Sequence, residues 1–144
     1  FERVYVALVA AGHPLARKTL TLRSFAATPH IVVRAPSRVQ DRIDEELASH
    51  GLARSECVEL PSYLMIPPLL EAGDFLAVVP GQLADAFSRH GNFVSRKLPV
   101  SVPASVIRMH WHRRFNEDPA NRWLRALMAE EFGGELAPTR GRGL

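Results

Sequence analysis

A chain of 144 residues, 47% hydrophobic and 23% charged, is long enough to bury one sizeable core and too short for several domains. Its net charge of +3 comes mainly from arginines scattered from Arg3 to Arg142 among acidic residues, Lys18 and Lys97 being the only lysines. That scatter argues against the concentrated basic arm or helix face of a DNA reader. No apolar stretch reaches the ~20 residues of a membrane-spanning helix, because Pro67, Pro68, Asp74 and Pro80 interrupt the longest candidates. The one cysteine, Cys57, cannot form an intramolecular disulfide, and its apolar-leaning surroundings predict a buried, inert thiol.

In chain order, residues 4–10 (VYVALVA) are β-prone and almost wholly apolar, the pattern of a strand buried on both faces rather than of a signal peptide. The chain begins on Phe1 rather than a methionine, which fits a piece of a longer protein. Gly12, His13 and Pro14 end the first strand. A short helix over 21–27, stopped by Pro29, leads to a second buried strand over 30–34. Ser37 and Gln40 have capping-box spacing, Val39, Ile43 and Leu47 recur at i, i+4, i+8, and Gly51 follows, so a helix is predicted over 37–50. A third strand is read over 56–60. The next apolar segment contains Pro67 and Pro68 and predicts a kinked or late-starting helix ending at Gly73. FLAVV at 75–79 is a fourth strand, and a helix follows over 81–91 that buries Leu83, Ala84 and Phe87.

This alternation predicts an α/β domain with a largely parallel sheet, helices on both faces and right-handed crossovers. Residues 92–98 continue it as a strand, and 105–113 (SVIRMHWHR) have strand propensity again. Asp118 and Pro119 start a last helix expected to bury Trp123, Leu124, Leu127 and Met128 before Gly133 and Gly134. The tail over 133–144 has no periodicity and reads as unstructured.

The usual chemical signatures are missing. There is no Gly-rich phosphate loop and no nucleophile elbow, and no cofactor is implied. His110 and His112 would share a strand face and are the most metal-like pair, but two histidines without further ligands do not make a metal site. His13 and His30 lie beside prolines at strand edges and read as turn-associated packing. Asp44, Glu45 and Glu46 read as a solvated helix face. The arginines at 108, 113, 114, 122 and 125 read as a solvated strand end and helix face.

The more informative positions follow from the fold class. In an open parallel sheet, ligands lie in the crevice at the carboxyl ends of the strands, where helix N-termini present free N–H groups. Those ends fall at residues 34–40 and 60–63. Ser37 and Gln40 are candidate polar contacts there, with capping of their own helix as the competing role. Ser62 adds a hydroxyl and Tyr63 an aromatic wall.

Several segments carry a resemblance: AAGHPLA with LTLRSFAATPHIVV, the ASHGL after the capped helix, ELPSYLMIPPLLEAGDFLAVVPGQLA, and HWHRRFNEDPANRWLRALM. Together they resemble the effector-binding domain of LysR-type transcriptional regulators, over residues 1–132, and within that family the regulators that sense aromatic or related small organic acids. The resemblance implies a type 2 periplasmic-binding-protein-like α/β lobe with a mostly parallel sheet, plus the hinge strands and terminal helix of another lobe. It divides the chain into a hinge strand over 1–12, the second α/β lobe over 13–92, return strands and helix of the first lobe over 93–132, and a flexible tail. It further implies a small organic acid in an interlobe cleft, a homo-oligomer, cytoplasmic residence, and DNA contact through a helix-turn-helix domain outside this chain. Ser37, Gln40, Ser62 and Tyr63 match places that face the effector. Two other readings remain, a solute-binding protein of the same fold and a small α/β enzyme using His110 or His112.

Overall fold

The computed structural model describes residues 2–34 and 38–132. The chain divides into two compact units, one of Val4–Ala104 and one of Phe1–Arg3 with Ser105–Leu144.

In the larger unit the apolar run near the start forms β2 (Tyr5–Ala10), numbered after the two-residue β1 (Glu2–Arg3) of the other unit. A 3-10 turn over Pro14–Ala16 follows, with His13 Nδ1 accepting from the Leu15 N–H at 3.0 Å. Helix α1 (Leu22–Ala27) starts at a reciprocal cap: Thr21 Oγ1 accepts from the Ser24 N–H and Ser24 Oγ accepts from the Thr21 N–H. Strand β3 (Pro29–Val33) and helix α2 (Val39–Ser49) come next, and α2 ends before Gly51, whose φ of 68° is the left-handed conformation a helix stop uses. Strand β4 (Ser55–Leu60) leads into a 3-10 turn over Tyr63–Met65 and helix α3 (Ile66–Ala72). Pro67 and Pro68 therefore sit in the first turn of α3, where a missing N–H breaks no intrahelical bond. Strand β5 (Leu76–Pro80), helix α4 (Gly81–His90) and strand β6 (Phe93–Arg96) complete the unit.

The sheet order is β4-β3-β5-β2-β6. β3 pairs parallel with both β4 and β5, while β2 pairs antiparallel with β5 and β6. Four strands therefore share one direction and β2 runs against them. The segment expected as an incoming hinge, residues 1–12, thus supplies an interior strand of this sheet. One row across the sheet runs Val58, Ile31, Ala77, Leu8, Ser95.

Helices cover both faces. Phe25 and Ala26 of α1 and Val39, Ile43 and Leu47 of α2 pack with Val9, Leu76 and Val78 on one side. Ile66 and Leu70 of α3 and Ala84 of α4 pack with Leu8, Ile31, Ala77 and Val79 on the other. Each fully buried Leu, Ile or Phe in these layers contributes about 1.5–3 kcal/mol of transfer free energy. Cys57 is exposed, correcting the expected buried thiol: β4 is an edge strand whose residues are mostly solvent-facing.

In the smaller unit β1 pairs antiparallel with β7 (Ser105–Val106), a 3-10 turn spans Arg113–Phe115, and α5 runs Pro119–Phe132. Asp118 Oδ1 accepts from the Asn121 N–H at 2.8 Å, so the expected start of this helix is present. The Asn121 bonds also hold the Asp118 carboxyl below the ordinary carboxylate range. Two expectations are corrected. The strand read over 105–113 stops at Val106, because among the described residues only the two residues of β1 pair with it. Trp123, Leu124, Leu127 and Met128 are exposed rather than buried, since the described part of this unit offers two short strands and a single turn as packing partners. The tail over 133–144 lies outside the described residues.

Candidate functional site

The common direction of β3, β4, β5 and β6 brings four carboxyl ends to one rim of the sheet, those of β4, β3 and β5 on adjacent strands. There Val33 passes into Arg34, Leu60 into Pro61 and Ser62, and Pro80 into helix α4. β2 enters the sheet at this rim, with Tyr5 opposite Pro80, and the Gly81 N–H donates to the Val4 carbonyl at 2.8 Å.

Ser62 and Tyr63 follow β4 directly. Extended backbone at Ser62 (φ −148°, ψ 142°) turns its hydroxyl onto the next turn, where Oγ accepts from the Leu64 N–H at 3.3 Å. Both residues are half-buried, and the Tyr63 ring packs against the core layer beneath α3 and α4. Beside them Leu64 and Met65 are 73% and 50% exposed, an apolar surface at the mouth of the rim. In the sequence these two were absorbed into an expected core helix. The 3-10 turn ahead of the proline pair is what leaves them outside.

Gln40 has a different setting. It is 4% exposed, and its Oε1 accepts from Arg54 Nη1 at 2.6 Å. Arg54, just before β4, has a side chain only 1% exposed and holds Asp44 in a two-pronged pair, with Nε–Oδ1 and Nη2–Oδ2 both at 2.8 Å. Its Nη2 also reaches Glu56 Oε1 at 3.3 Å. Glu56 and Glu59 in turn bind Arg34, raising its pKa further, the Glu59 bond contributing most. Gln40 is thus the buried terminus of a polar chain that clamps α2 to β4. The capping box expected of Ser37 and Gln40 is corrected accordingly. Arg38 occupies the cap position of α2 without a side-chain cap bond, and the Gln40 oxygen faces Arg54. Ser37 itself lies outside the described residues. Asp44, expected as part of a solvated face, is half engaged in this clamp.

The histidines divide by burial. His110 and His112 fall after β7 rather than on a strand, so the shared-face geometry is absent; His112 Nδ1 instead accepts from the Arg114 N–H. No group of three or more His, Cys, Asp or Glu side chains among the described residues is arranged to hold a metal ion. His30 is fully buried against Phe25, its Nδ1–H donating to the Thr28 carbonyl at 2.8 Å while Nε2 has no partner. Burial pushes its pKa down to about 4, and the nearby Arg54 charge adds to that.

A mostly parallel sheet with helices on both faces and adjacent carboxyl ends at one rim fits a lobe of the type 2 periplasmic-binding-protein-like class, which the family match and the structural likeness below bear out. The LysR substrate binding domain matches residues 1–133, and the chain belongs to that family. The HTH-type transcriptional activator NahR of Pseudomonas putida is 34% identical over 89% of this chain and 43% of its own length. NagR of Ralstonia sp, also an HTH-type transcriptional activator, is 30% identical over 92% of this chain and 44% of its own length. The regulatory domain of MexT, a transcriptional activator in Pseudomonas aeruginosa, superposes with a TM-score of 0.78 at 28% identity, over 90% of this chain and 64% of that one. The chain spans less than half the length of the two curated relatives. These relatives are transcriptional regulators and not enzymes, which removes the reading of a small enzyme built on His110 or His112. Among the described residues no helix is long and apolar enough to cross a membrane.

Proposed function

We propose that this chain senses a small organic acid, an aromatic one in the first instance, for a cytoplasmic, homo-oligomeric LysR-type regulator that contacts DNA through a helix-turn-helix domain outside residues 1–133. The observation that carries the reading is the rim itself. Three parallel strands end side by side there, and Ser62, half-buried Tyr63 and the exposed apolar pair Leu64 and Met65 follow the edge strand. A carboxylic acid suits that surface, with ring or chain on the apolar side and oxygens toward hydroxyl and backbone N–H groups. Ser62 and Tyr63 act as direct contacts. Gln40, engaged by Arg54, acts by fixing the start of α2, where Ser37 also lies in the sequence. An effector that binds one pose of the lobes more tightly shifts the population toward it, and the oligomer carries that shift to DNA.

The test is a thermal-shift screen of the full protein against aromatic and aliphatic acids, followed by calorimetry on Tyr63→Ala and Tyr63→Leu. An acid at 100 times its Kd adds about 2.7 kcal/mol to stability, a readable shift. Both variants should lose affinity, while Tyr63→Leu keeps the packing beneath α3. Sugars or peptides giving shifts where acids give none, or full affinity in both variants, would overturn the reading.

A further inference from the structure

At the opposite edge of the sheet from β4, the loop after the first 3-10 turn lies against the end of β6 and encloses an open cavity of about 410 Å³. Four cations line it: Arg17 and Lys18 from the loop, Arg96 and Lys97 from the end of β6. Both lysines of the chain are in this set. Thr19 adds a hydroxyl, and Leu20 and Leu98 add apolar lining. Among the described residues no acidic side chain lines the cavity and none of the four cations forms an ion pair. The arginines around α2 and β4 show the contrast, for Arg34, Arg38, Arg42 and Arg54 each have a carboxylate partner. Arg96 is held in place by its Nε donating to the Leu15 carbonyl at 3.4 Å.

We propose that this cavity is a second ligand site, selective for small anions that carry two or more carboxylate or phosphate groups. Folding brings together charges that are far apart in the sequence, and among the described residues no carboxylate pairs with them to relieve their mutual repulsion. A single-charge anion offsets only part of it. A multiply charged one spans several cations at once, and the volume falls within the range of small-molecule sites. The end of β6 falls on the same rim as the residues after β4 but at the other edge of the sheet: four strand spacings of ~4.8 Å put roughly 19 Å between the two edges. An anion here binds the folded lobe only, so it stabilises the lobe without occupying the residues after β4.

The experiment is a titration of the full chain, by thermal shift and calorimetry at fixed ionic strength. Citrate serves as carboxylate probe, pyrophosphate as phosphate probe and acetate as single-charge control. Citrate, pyrophosphate or both should give a saturable shift that acetate and matched sodium chloride do not. In the double variant Lys18→Gln, Lys97→Gln the affinity should fall about tenfold, the loss of two exposed charge contacts. Lys18→Arg, Lys97→Arg should restore it. No saturable shift, or equal affinity in wild type and the Gln variant, overturns the proposal. So does a lysine-dependent shift with random-sequence duplex DNA where neither small anion acts, which would make the basin part of a nucleic-acid surface.

Discussion

Arg54→Ala tests whether the Gln40 side chain is committed to the fold. Removing the guanidinium leaves the Gln40 amide oxygen buried without a donor, a loss of about 1–3 kcal/mol. The Asp44 side chain is 45% exposed and rehydrates, so its share of the broken pair is at most about 1 kcal/mol. The sum is a destabilisation of about 1–4 kcal/mol, read as a lower urea midpoint at unchanged m-value. A cycle with Gln40→Leu isolates the contact, and the two changes should be non-additive by about 1–2 kcal/mol. Arg54→Ala costing under about 0.5 kcal/mol, or a cycle that closes additively, would refute the clamp and return Gln40 to the rim as a free ligand contact.

His30 makes stability pH-dependent with a defined sign. Its folded pKa lies near 4 against an ordinary value of 6.5, so the unfolded chain binds the extra proton between those values. Stability from this group is complete above pH 6.5 and falls by up to about 3 kcal/mol as pH drops toward 4, so urea midpoints of His30→Gln should show a shallower decline over that window than the native chain. Gly51→Ala meets no neighbouring atom, yet the positive φ strains any side-chain-bearing residue; thermal melts should register a loss of about 1–2 kcal/mol, and a neutral result would mean the turn relaxes. Ile43→Ala empties a fully buried position between α2 and the sheet and should cost about 2–5 kcal/mol in equilibrium unfolding.

The elements of the larger unit were legible because each carries its own local signal. VYVALVA and FLAVV are apolar runs bounded by Gly and Pro, and the Val39, Ile43, Leu47 stripe ends at a glycine with positive φ. Strand direction has no such signal. β2 runs against its neighbours, yet its sequence looks as parallel as that of β5, since both are buried on both faces. The failures have the same root, a dependence on partners distant in sequence. Gln40 matched a capping box until Arg54, fourteen positions on, took its oxygen. Arg108 to His112 have strand propensity yet form no strand in the described structure. Of the rim, Ser62 and Tyr63 were readable from their place after a strand. Leu64 and Met65 were not, because only the 3-10 turn separates them from the helix that follows.

β2 opens the larger unit and β6 closes its sheet, and the two are hydrogen-bonded neighbours running in opposite directions. The start of β2 and the end of β6 therefore leave the sheet through the same side. A pull between those two exits would load the ladder from its end, unzipping the Ala7 and Arg96 pairing first and each later pair in turn, rather than shearing all the bonds together. Bonds broken one at a time resist little force.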